Sequence, residues 1–321
     1  MSNNNSLEYA NARIKTLEKN LLTSDKIIRL LDAHTISEAM KILLENNYGD
    51  EIIVDGDFDK LLFKEEEKTL RLFKELMPTG YGLETFVYEN DFHNAKVYSK
   101  AKLTGKPNDL ALKPVGLYDV KGAFEKENYA NLPNVLQEAL KTIDDERANG
   151  TLNGRKIDNI IDKAYYSSCV IDTAKARKSV VQDYYKILID SLNIKTFVRC
   201  KLQNLPLTYY TDAFVEGGEL SKDRLTKFYP LSLDEISEKM KYTDWKDDFS
   251  EYDLSKFETK LDNKLIKLIK AQKADMFTPA PILGYYLGKL SEIKVVRTLL
   301  TCKKNGVAPE EIRKRIRETY A

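Results

Sequence analysis

Residues Ser291–Tyr320 read SEIKVVRTLLTCKKNGVAPEEIRKRIRETY and contain the pattern that recurs through the rest of the chain. Apolar residues fall near one face of a 3.6-residue helix that begins upstream of this stretch, and basic residues such as Lys289 and Lys294 occupy other positions. Asn305-Gly306 predicts the helix end, because glycine readily adopts the left-handed conformation of a helix C-terminus. A second helix is expected to follow, with a thin apolar stripe formed by Ile312, Ile316 and Tyr320.

This pattern occurs four times. The copies are DFHNAKVYSKAKL (Asp91–Leu103), DSLNIKTFVRCKL (Asp190–Leu202), SEIKVVRTLL (Ser291–Leu300) and a shorter form near the start, YANARIKTLEKNLL (Tyr9–Leu22). Their basic anchor residues are Arg13, Lys96, Lys195 and Lys294; 195 − 96 and 294 − 195 both equal 99, whereas 96 − 13 = 83. A unit of this size exceeds a solenoid repeat and is short for a domain. The sequence therefore predicts one all-α unit of three similar modules, approximately 1–90, 91–190 and 191–321.

The composition predicts a soluble chain with no dominant charge. Its 321 residues are 42% hydrophobic and 31% charged, and 51 Lys and Arg nearly balance 50 Asp and Glu, so no global field indicates nucleic acid as a partner. Cys169, Cys200 and Cys302 form no CxxC pair, and we expect buried thiols in a reducing cytoplasm. The N-terminus lacks a signal-peptide pattern, and no uncharged run reaches the ~20 residues of a membrane span.

Helical patterns cover most of the chain, and no stretch alternates like a β-strand. Phe58–Met77 is predicted to be helical with Glu65 on its solvated face. Capping boxes, in which a hydroxyl and a carboxylate bond reciprocally to the first backbone amides, are predicted at Thr35 and Ser232. Further helices are expected over the ranges Leu132–Arg147, Lys156–Lys178, Asp253–Ala274 and Ala280–Lys304.

Motifs for catalysis or cofactor binding are not found. His34 and His93 lack Cys, Asp or Glu neighbours at metal-ligand spacing, so we expect no metal site. No GxGxxG occurs, and the segment around Lys106 fails the phosphate-loop signature, which leaves no argument for a nucleotide cofactor. Asp144 and Asp145 are adjacent carboxylates that point to different sides of a helix, as expected of an exposed helix end.

The basic residues Arg13, Lys96, Lys195 and Lys294 are the polar positions that the repeat itself singles out. One interpretation places each on the solvated flank of a packed helix. The other places them by pseudo-symmetry around a shared cavity or rim, where they would contact a partner. All four are therefore candidate partner-interface residues.

Taken together, these fragments resemble the C subunit of rotary V-type and archaeal-type ATPases, called the d subunit in eukaryotic V-type complexes. The resemblance spans nearly the whole chain and rests on four stretches in this order: YANARIKTLEKNLL with LLDAHTISEAMKILL, NAKVYSKAKL, LNIKTFVRCKL, and PILGYYLGKLSEIKVVRTLLTCKKNGVAPEEIRKRIRETY. One departure is Cys302, where the family often has Gly. The packing of the helix at this position is therefore expected to differ from that of the family.

The resemblance implies a funnel of three similar helical modules about a pseudo-threefold axis. Its base would sit on the membrane rotor ring (the c/K ring), at the cytoplasmic face, and its mouth would accept the central shaft formed by the D and F subunits. The protein would be a non-catalytic rotor subunit, without a cofactor and present once per complex. It would transmit rotation for proton or sodium transport and for ATP synthesis or hydrolysis.

Two other functions fit parts of the same pattern. The repeats would also serve a free cytosolic all-α scaffold that binds another protein, and association with membranes and ATPase subunits would argue against it. An all-α enzyme using Asp144 and Asp145 would require turnover by the isolated chain that is abolished by Asp145→Ala.

Overall fold

The computed structural model describes residues 6–48, 57–249 and 253–313. Within these ranges the chain forms α-helices and short 3-10 turns and contains no β-strand, which confirms the predicted all-α class. The predicted apolar residues Ile316 and Tyr320 lie outside the described ranges. The helices are α1 (Leu7–Leu17), α2 (Ser24–Asp32), α3 (Ile36–Glu45), α4 (Phe58–Leu76), α5 (Glu84–Thr104), α6 (Val120–Glu125), α7 (Asn134–Ala148), α8 (Gly154–Lys175), α9 (Val180–Leu202), α10 (Leu207–Ala213), α11 (Lys222–Phe228), α12 (Leu233–Lys239), α13 (Leu254–Ala271), α14 (Ala280–Lys304) and α15 (Pro309–Arg313).

The three long copies of the repeat lie on α5, α9 and α14, here called the anchor helices, and the short copy lies on α1. Each anchor helix is followed closely by a residue with positive φ: Gly105 at +69°, Asn204 at +52° and Gly306 at +69°. Such a residue turns the chain away while its amide bonds back to the last helical carbonyls. The helix end predicted at Asn305-Gly306 is confirmed, and the same signal ends the other two copies.

Of the two predicted capping boxes, the one at Ser232 forms as expected and the one at Thr35 differs. Ser232 and Glu235 form the predicted reciprocal capping box. Thr35 accepts from the amide of Glu38 at 3.1 Å, but the Glu38 carboxylate accepts from the amide of His34 instead of Thr35. The helix predicted through Lys178 ends at Lys175, and a second reciprocal capping box, at Ser179, begins α9.

The chain divides into two compact units: unit 1 comprises residues 1–83 and 266–321, and unit 2 comprises residues 84–265. In unit 1, α14 packs against α4 along its length and also contacts α1, α2 and α3. The rings of Phe73 and Tyr286 stack at 4.1 Å between α4 and α14. Cys302 is buried in the apolar core of this unit, so the cysteine is accommodated where the family often has glycine.

Unit 2 is organised around α8, which packs against α5, α7 and α9. A second apolar cluster surrounds the C-terminal half of α9 and draws on α10, α11 and α12. Cys169 and Cys200 are buried here, and the prediction of three buried thiols is therefore confirmed. The division into modules of about 1–90, 91–190 and 191–321 stays a prediction.

Candidate functional site

The basic anchor residues have different environments in the two units. In unit 1, the guanidinium of Arg13 pairs with the carboxylate of Glu75, and both side chains are partly exposed. In unit 2, the ammonium of Lys96 lies 2.7 Å from a carboxylate oxygen of Asp162 on α8. Each of these ion pairs lies within one unit and joins the repeat helix to a neighbouring helix.

The other two anchor residues differ from each other in exposure. Lys195 on α9 is partly buried and interacts with its surroundings. Lys294 on α14 is exposed, and among the described residues its ammonium has no carboxylate partner. Contact of the four anchor residues with a partner protein stays a prediction.

The buried polar positions of the repeat lie two residues before each anchor residue, at places that the basic pattern does not mark. Three are asparagines and the fourth is a glutamate, and their exposed fractions are Asn11 0%, Asn94 7%, Asn193 1% and Glu292 3%. The sequence carried a signal for the asparagines. Three copies of the repeat read N-A-R, N-A-K and N-I-K, so the asparagine is present in each of these three copies together with the basic residue. A buried amide must find hydrogen-bond partners, so each of these residues is expected to hold nearby backbone.

On α5 this backbone is the connection after the helix. The Asn94 amide donates to the Lys113 carbonyl at 3.0 Å, and its oxygen accepts from the Lys113 amide at 2.8 Å. One turn earlier, Asp91 accepts from the backbone amides of Gly116 at 2.9 Å and Leu117 at 2.6 Å. We call these two residues the Asp–Asn pair of α5.

The equivalent positions of α9 form a second Asp–Asn pair. Asn193 donates to the Val215 carbonyl at 2.8 Å and accepts from its amide at 2.9 Å. Asp190 accepts from the amides of Glu219 and Leu220, each at 3.0 Å. Burial of the Asp190 carboxyl raises its pKa, and the two backbone amides act in the opposite direction.

A glycine lies against the carboxylate of each pair. A Cβ added to Gly116 would lie 2.4 Å from Asp91, and one added to Gly218 would lie 2.0 Å from Asp190. Real Cβ atoms do not approach this closely, so the backbone reaches each aspartate because the residue has no side chain. The sequence carries these glycines, but only the fold shows what they contact.

On α14 the same two positions are Lys289 and Glu292, so a lysine replaces the aspartate of the pair and a glutamate replaces the asparagine. The Lys289 ammonium lies 2.6 Å from Glu292 and 3.0 Å from Glu65, and all three side chains are at most 6% exposed. Glu292 also accepts from the backbone amide of Leu22 and from the hydroxyl of Tyr48. We call Lys289, Glu65 and Glu292 the ion cluster of unit 1.

Two predictions are wrong at this cluster. The helical pattern places Lys289 on the polar side of α14 and Glu65 on a solvated face of α4, but their exposed fractions are 5% and 3%. The reason is that α4 packs along α14 and brings the two charges together. A buried charge is tolerated when an opposite charge and hydrogen bonds surround it, and periodicity alone does not reveal that pairing.

Two tyrosines with raised pKa values adjoin the cluster. The Tyr48 ring lies 4.0 Å from the Lys289 ammonium, and burial beside Glu292 raises the pKa of Tyr48. Burial, assisted by Glu65 and Glu292, raises the pKa of Tyr285 to about 12. The hydroxyl of Tyr48 acts as a hydrogen-bond donor to Glu292.

A cavity of about 260 Å³ opens above the ion cluster, within unit 1. It is lined by α1 and the 3-10 turn after it, by the end of α3, by one face of α4 and by the α14 residues Tyr285 and Lys289. Arg13 is on its wall, so one of the four anchor residues lies at a cavity rim, whereas Lys294 does not line it.

The residues considered for catalysis do not form a site. Asp144 and Asp145 are exposed, and Asp144 lies 3.5 Å from Arg147 on its own helix. His93 bonds the Ala111 carbonyl through Nε2 at 2.8 Å. Across the described part of the chain, no group of His, Cys, Asp and Glu side chains is arranged to hold a metal ion. The helices described here include none that is both long and apolar enough to cross a bilayer.

Comparison with known proteins gives a family match over residues 10–315, to the family described as ATP synthase (C/AC39) subunit. The chain is 25% identical over 333 residues to the C subunit of the V-type sodium ATPase of Enterococcus hirae, which covers 98% of this chain and 99% of that protein. It is similar to the C subunit of the A-type ATP synthase of Desulfurococcus (25% identical; 95% and 89% covered) and of Thermococcus kodakarensis (24%; 97% and 90%).

The match extends over the short copy of the repeat on α1 and all three anchor helices. It includes the Asp–Asn pairs and the ion cluster, and the relatives align with this chain over almost its whole length. The chain therefore belongs to the ATP synthase (C/AC39) subunit family and is a subunit of a rotary ATPase.

Proposed function

We propose that this chain is a non-catalytic central-stalk rotor subunit that couples the shaft of the D and F subunits to the membrane rotor ring. The observation that carries the proposal is the family match over residues 10–315, joined to relatives named as C subunits that align from end to end. In this role the protein would turn with the shaft and pass torque to the ring, at the cytoplasmic face of the membrane.

The packing of the chain supports this role. Torque passes through a body only when the body resists deformation, and close-packed helical interiors have few voids and low compressibility. The Asp–Asn pairs of α5 and α9 add to this stiffness, because each holds a connection at two or more backbone positions. A loop fixed in this way loses less free energy to ordering when it meets a partner.

The balanced surface charge also suits contact with a ring of repeated subunits. Lys and Arg number 51 against 50 Asp and Glu, so no single sign dominates the surface. Interspersed charges allow many weak polar contacts, of which no single pairing needs ideal geometry. The funnel-shaped arrangement of three modules that the family implies would place such contacts around the axis.

The test is reconstitution of the rotor from purified components. Tagged full-length chain is mixed at low salt with the D–F shaft and, separately, with detergent-solubilised rotor ring. We expect stable complexes with both, and omission of the chain should leave shaft and ring unconnected. Failure to bind either component, together with normal rotor assembly in its absence, would falsify the rotor role.

The contribution of the anchor residues can be tested in the same assay. We expect Lys294→Glu to weaken binding to one of the two components, because its charge is exposed and has no carboxylate partner among the described residues. Lys96→Glu breaks the pair with Asp162, so it is compared with the double variant Lys96→Glu/Asp162→Lys, which restores an internal pair. Arg13→Glu and Lys195→Glu complete the set. If all variants bound the shaft and the ring with unchanged affinity, the solvated-flank interpretation of these residues would be supported.

A further inference from the structure

In unit 2, the anchor helix α9 binds a short helix that follows it in the chain. Asp190 of α9 accepts from the amide of Leu220 at 3.0 Å, directly before the N-cap residue of α11. Further along α9, the Lys201 ammonium donates to the carbonyls of Tyr229 at 2.8 Å and Leu231 at 2.5 Å, between α11 and α12. One carboxylate and one ammonium of α9 therefore hold both ends of α11.

In unit 1, the last anchor helix α14 makes the same set of contacts with a helix from the beginning of the chain. Glu292 accepts from the amide of Leu22, directly before the N-cap residue of α2. The Lys303 ammonium donates to the carbonyls of Leu31 and Ala33, each at 2.6 Å, where α2 ends. Helix α2 therefore takes on α14 the place that α11 takes on α9, although Leu22 lies 270 residues before Glu292.

The spacing of these residues along the two anchor helices agrees with the contacts. Asp190 precedes Lys201 by 201 − 190 = 11 residues, and Glu292 precedes Lys303 by 303 − 292 = 11 residues. A buried cysteine stands directly before each of the two lysines. Contacts and spacing therefore match Glu292 with Asp190, whereas counting from the basic anchor residues matches it with Asn193.

An apolar core joins the first helices to α14. Six of its side chains are fully buried: Leu22, Leu30 and Leu43 from the beginning of the chain, and Val296, Leu299 and Leu300 from α14. Removal of apolar surface from water is the main favourable term in folding and in most associations between proteins. The contact between these two parts of the chain therefore has the composition of a protein interior.

Helix α1 adds a third group of contacts. The side-chain amide of Asn11 donates to the carbonyls of Met276 at 2.7 Å and Thr278 at 3.0 Å. The Lys15 ammonium donates to the carbonyl of Lys273 at 3.1 Å. These three carbonyls lie in the connection between α13 and α14, so α1 holds the chain that enters α14 while α14 holds α2.

We propose that residues 6–48, which carry α1, α2 and α3, are a strap: an exchangeable half of the last repeat. Helix α14 binds this strap through non-covalent contacts, and the same segment of a second copy of this chain can replace it. Exchange of an identical element between copies costs little, because the same contacts form in both arrangements. The proposal does not depend on the rotor role, since all of these contacts lie within unit 1.

The experiment cuts the covalent link between the strap and the rest of the chain and leaves the contacts in place. A protease recognition sequence is inserted between α3 and α4 of the full-length chain, and the folded protein is cleaved. We expect the two parts to elute together in size-exclusion chromatography at micromolar concentration. Release of the strap on cleavage would overturn the proposal, because the contacts would then be too weak to hold it without the link.

Exchange between copies is measured by mixing cleaved protein that carries an isotope label with cleaved protein that does not. Native mass spectrometry detects hybrids in which a labelled strap is bound to the unlabelled remainder of another copy. We expect hybrids to accumulate until the straps are distributed at random. A mixture of uncleaved chains, in which each strap stays linked to its own copy, is the control. Absence of hybrids from the cleaved mixture would overturn the proposed exchange.

Two lysine variants test whether α14 holds the strap as α9 holds α11. Lys303→Met should raise the exchange rate about tenfold, because it removes a charged donor from two carbonyls of the strap. Lys201→Met is the matched control and should leave the rate unchanged, because the segment that Lys201 binds lies in unit 2 and stays linked to the chain.

Circular dichroism of the uncleaved variants checks that both fold. We expect Lys303→Met to keep its helix content before cleavage, because the link holds the strap at a high effective concentration. Equal exchange rates for Lys303→Met and Lys201→Met would overturn the correspondence between α2 and α11, and with it the assignment of the strap to the last repeat.

Discussion

The anchor helices of the two units hold their neighbouring backbone by different chemistry. In unit 2, the Asp–Asn pairs of α5 and α9 bind connections that lie 19 to 30 residues further along the chain. In unit 1, the equivalent positions of α14 are Lys289 and Glu292, and Glu292 binds Leu22 and Tyr48, which lie 270 and 244 residues away. The same helix surface is therefore used for local segments in one unit and for remote segments in the other.

The difference in sequence separation has an energetic cost. Closing a flexible loop of 244 residues costs about 2 kcal/mol more than closing one of 22, because the entropy cost grows with the logarithm of loop length. Charge-assisted hydrogen bonds are roughly twice as strong as neutral ones and offset such a cost. Paired charges also specify their partners, since a buried charge without its counterpart is strongly unfavourable. The chemistry does not follow distance alone, because the neutral amide of Asn11 on α1 donates to the carbonyls of Met276 and Thr278, which lie 265 and 267 residues away.

The largest expected effect comes from removing the cation of the ion cluster. Lys289→Met leaves Glu65 and Glu292 buried without their counter-ion, and we expect the free energy of unfolding to fall by about 3–5 kcal/mol. Urea denaturation followed by circular dichroism measures the change. The control is Lys294→Met, one of the exposed basic residues of the same helix, for which a change within about 0.5 kcal/mol is expected.

Hydrogen exchange localises the same effect. Exchange should increase in unit 1 for Lys289→Met, at the amides of α4 and α14, while the protection of unit 2 is retained. A loss below about 1 kcal/mol would mean that the cluster does not hold the remote segments, and the contrast between the units would disappear.

A smaller effect is expected from the glycine that faces the α9 pair. In Gly218→Ala, the new Cβ would lie 2.0 Å from the Asp190 carboxylate, so the loop or the side chain must move. We expect a loss of about 1–3 kcal/mol, typical of overpacking, with increased exchange confined to unit 2. Gly154→Ala is the matched control, because a Cβ there would meet no atom within 4 Å. Equal stability of the two variants would contradict the close approach.

The smallest effect concerns His93, which adds a third side-chain contact to the connection held by the α5 pair. Burial lowers the pKa of His93 from its ordinary value of 6.5, so the unfolded chain binds a proton at higher pH than the folded chain. Stability conferred by the neutral imidazole is therefore present above pH 6.5 and is lost as the pH falls from 6.5 through the lowered pKa.

The measurement for this residue is the free energy of unfolding between about pH 7.5 and 5, a range that spans the ordinary titration of histidine. The wild-type curve should fall with decreasing pH over this range, and His93→Gln should flatten that fall. His34→Gln, at an exposed position before α3, serves as the control and should reproduce the wild-type slope. An unchanged slope in His93→Gln would assign the pH dependence to other groups.

Several features of the fold were predictable from local sequence. The all-α class, the helix end at Gly306 and the capping box at Ser232 follow from periodicity, glycine conformation and side-chain length, which act within one or two helical turns. Short helices such as α10 and α11 were missed, because seven residues give too little periodicity for a prediction.

Contacts between segments that are distant in the chain were harder to predict from the sequence. The short helices around the Thr35 and Ser232 caps are an example. The Lys201 ammonium of α9 donates to carbonyls of Tyr229 and Leu231, between α11 and α12. The equivalent pair, α2 and α3, follows the first copy in sequence, yet the lysine that donates to it, at 2.6 Å from the Leu31 carbonyl, is Lys303 of α14. In the chain, α2 and α3 follow the first copy of the repeat, on α1. In the structure, the lysine that binds them belongs to the last copy, on α14.

The sequence by itself determined the helical class, the repeat with its period of 99 residues and the family, because these depend on patterns within short stretches and on their order. Only the tertiary structure decided that the buried asparagines hold the connections beside the repeat helices, and that Lys289 and Glu65 are interior charges. The physical reason is that the energy of a buried polar group depends on which partner lies within hydrogen-bond reach, and such partners come from distant parts of the chain.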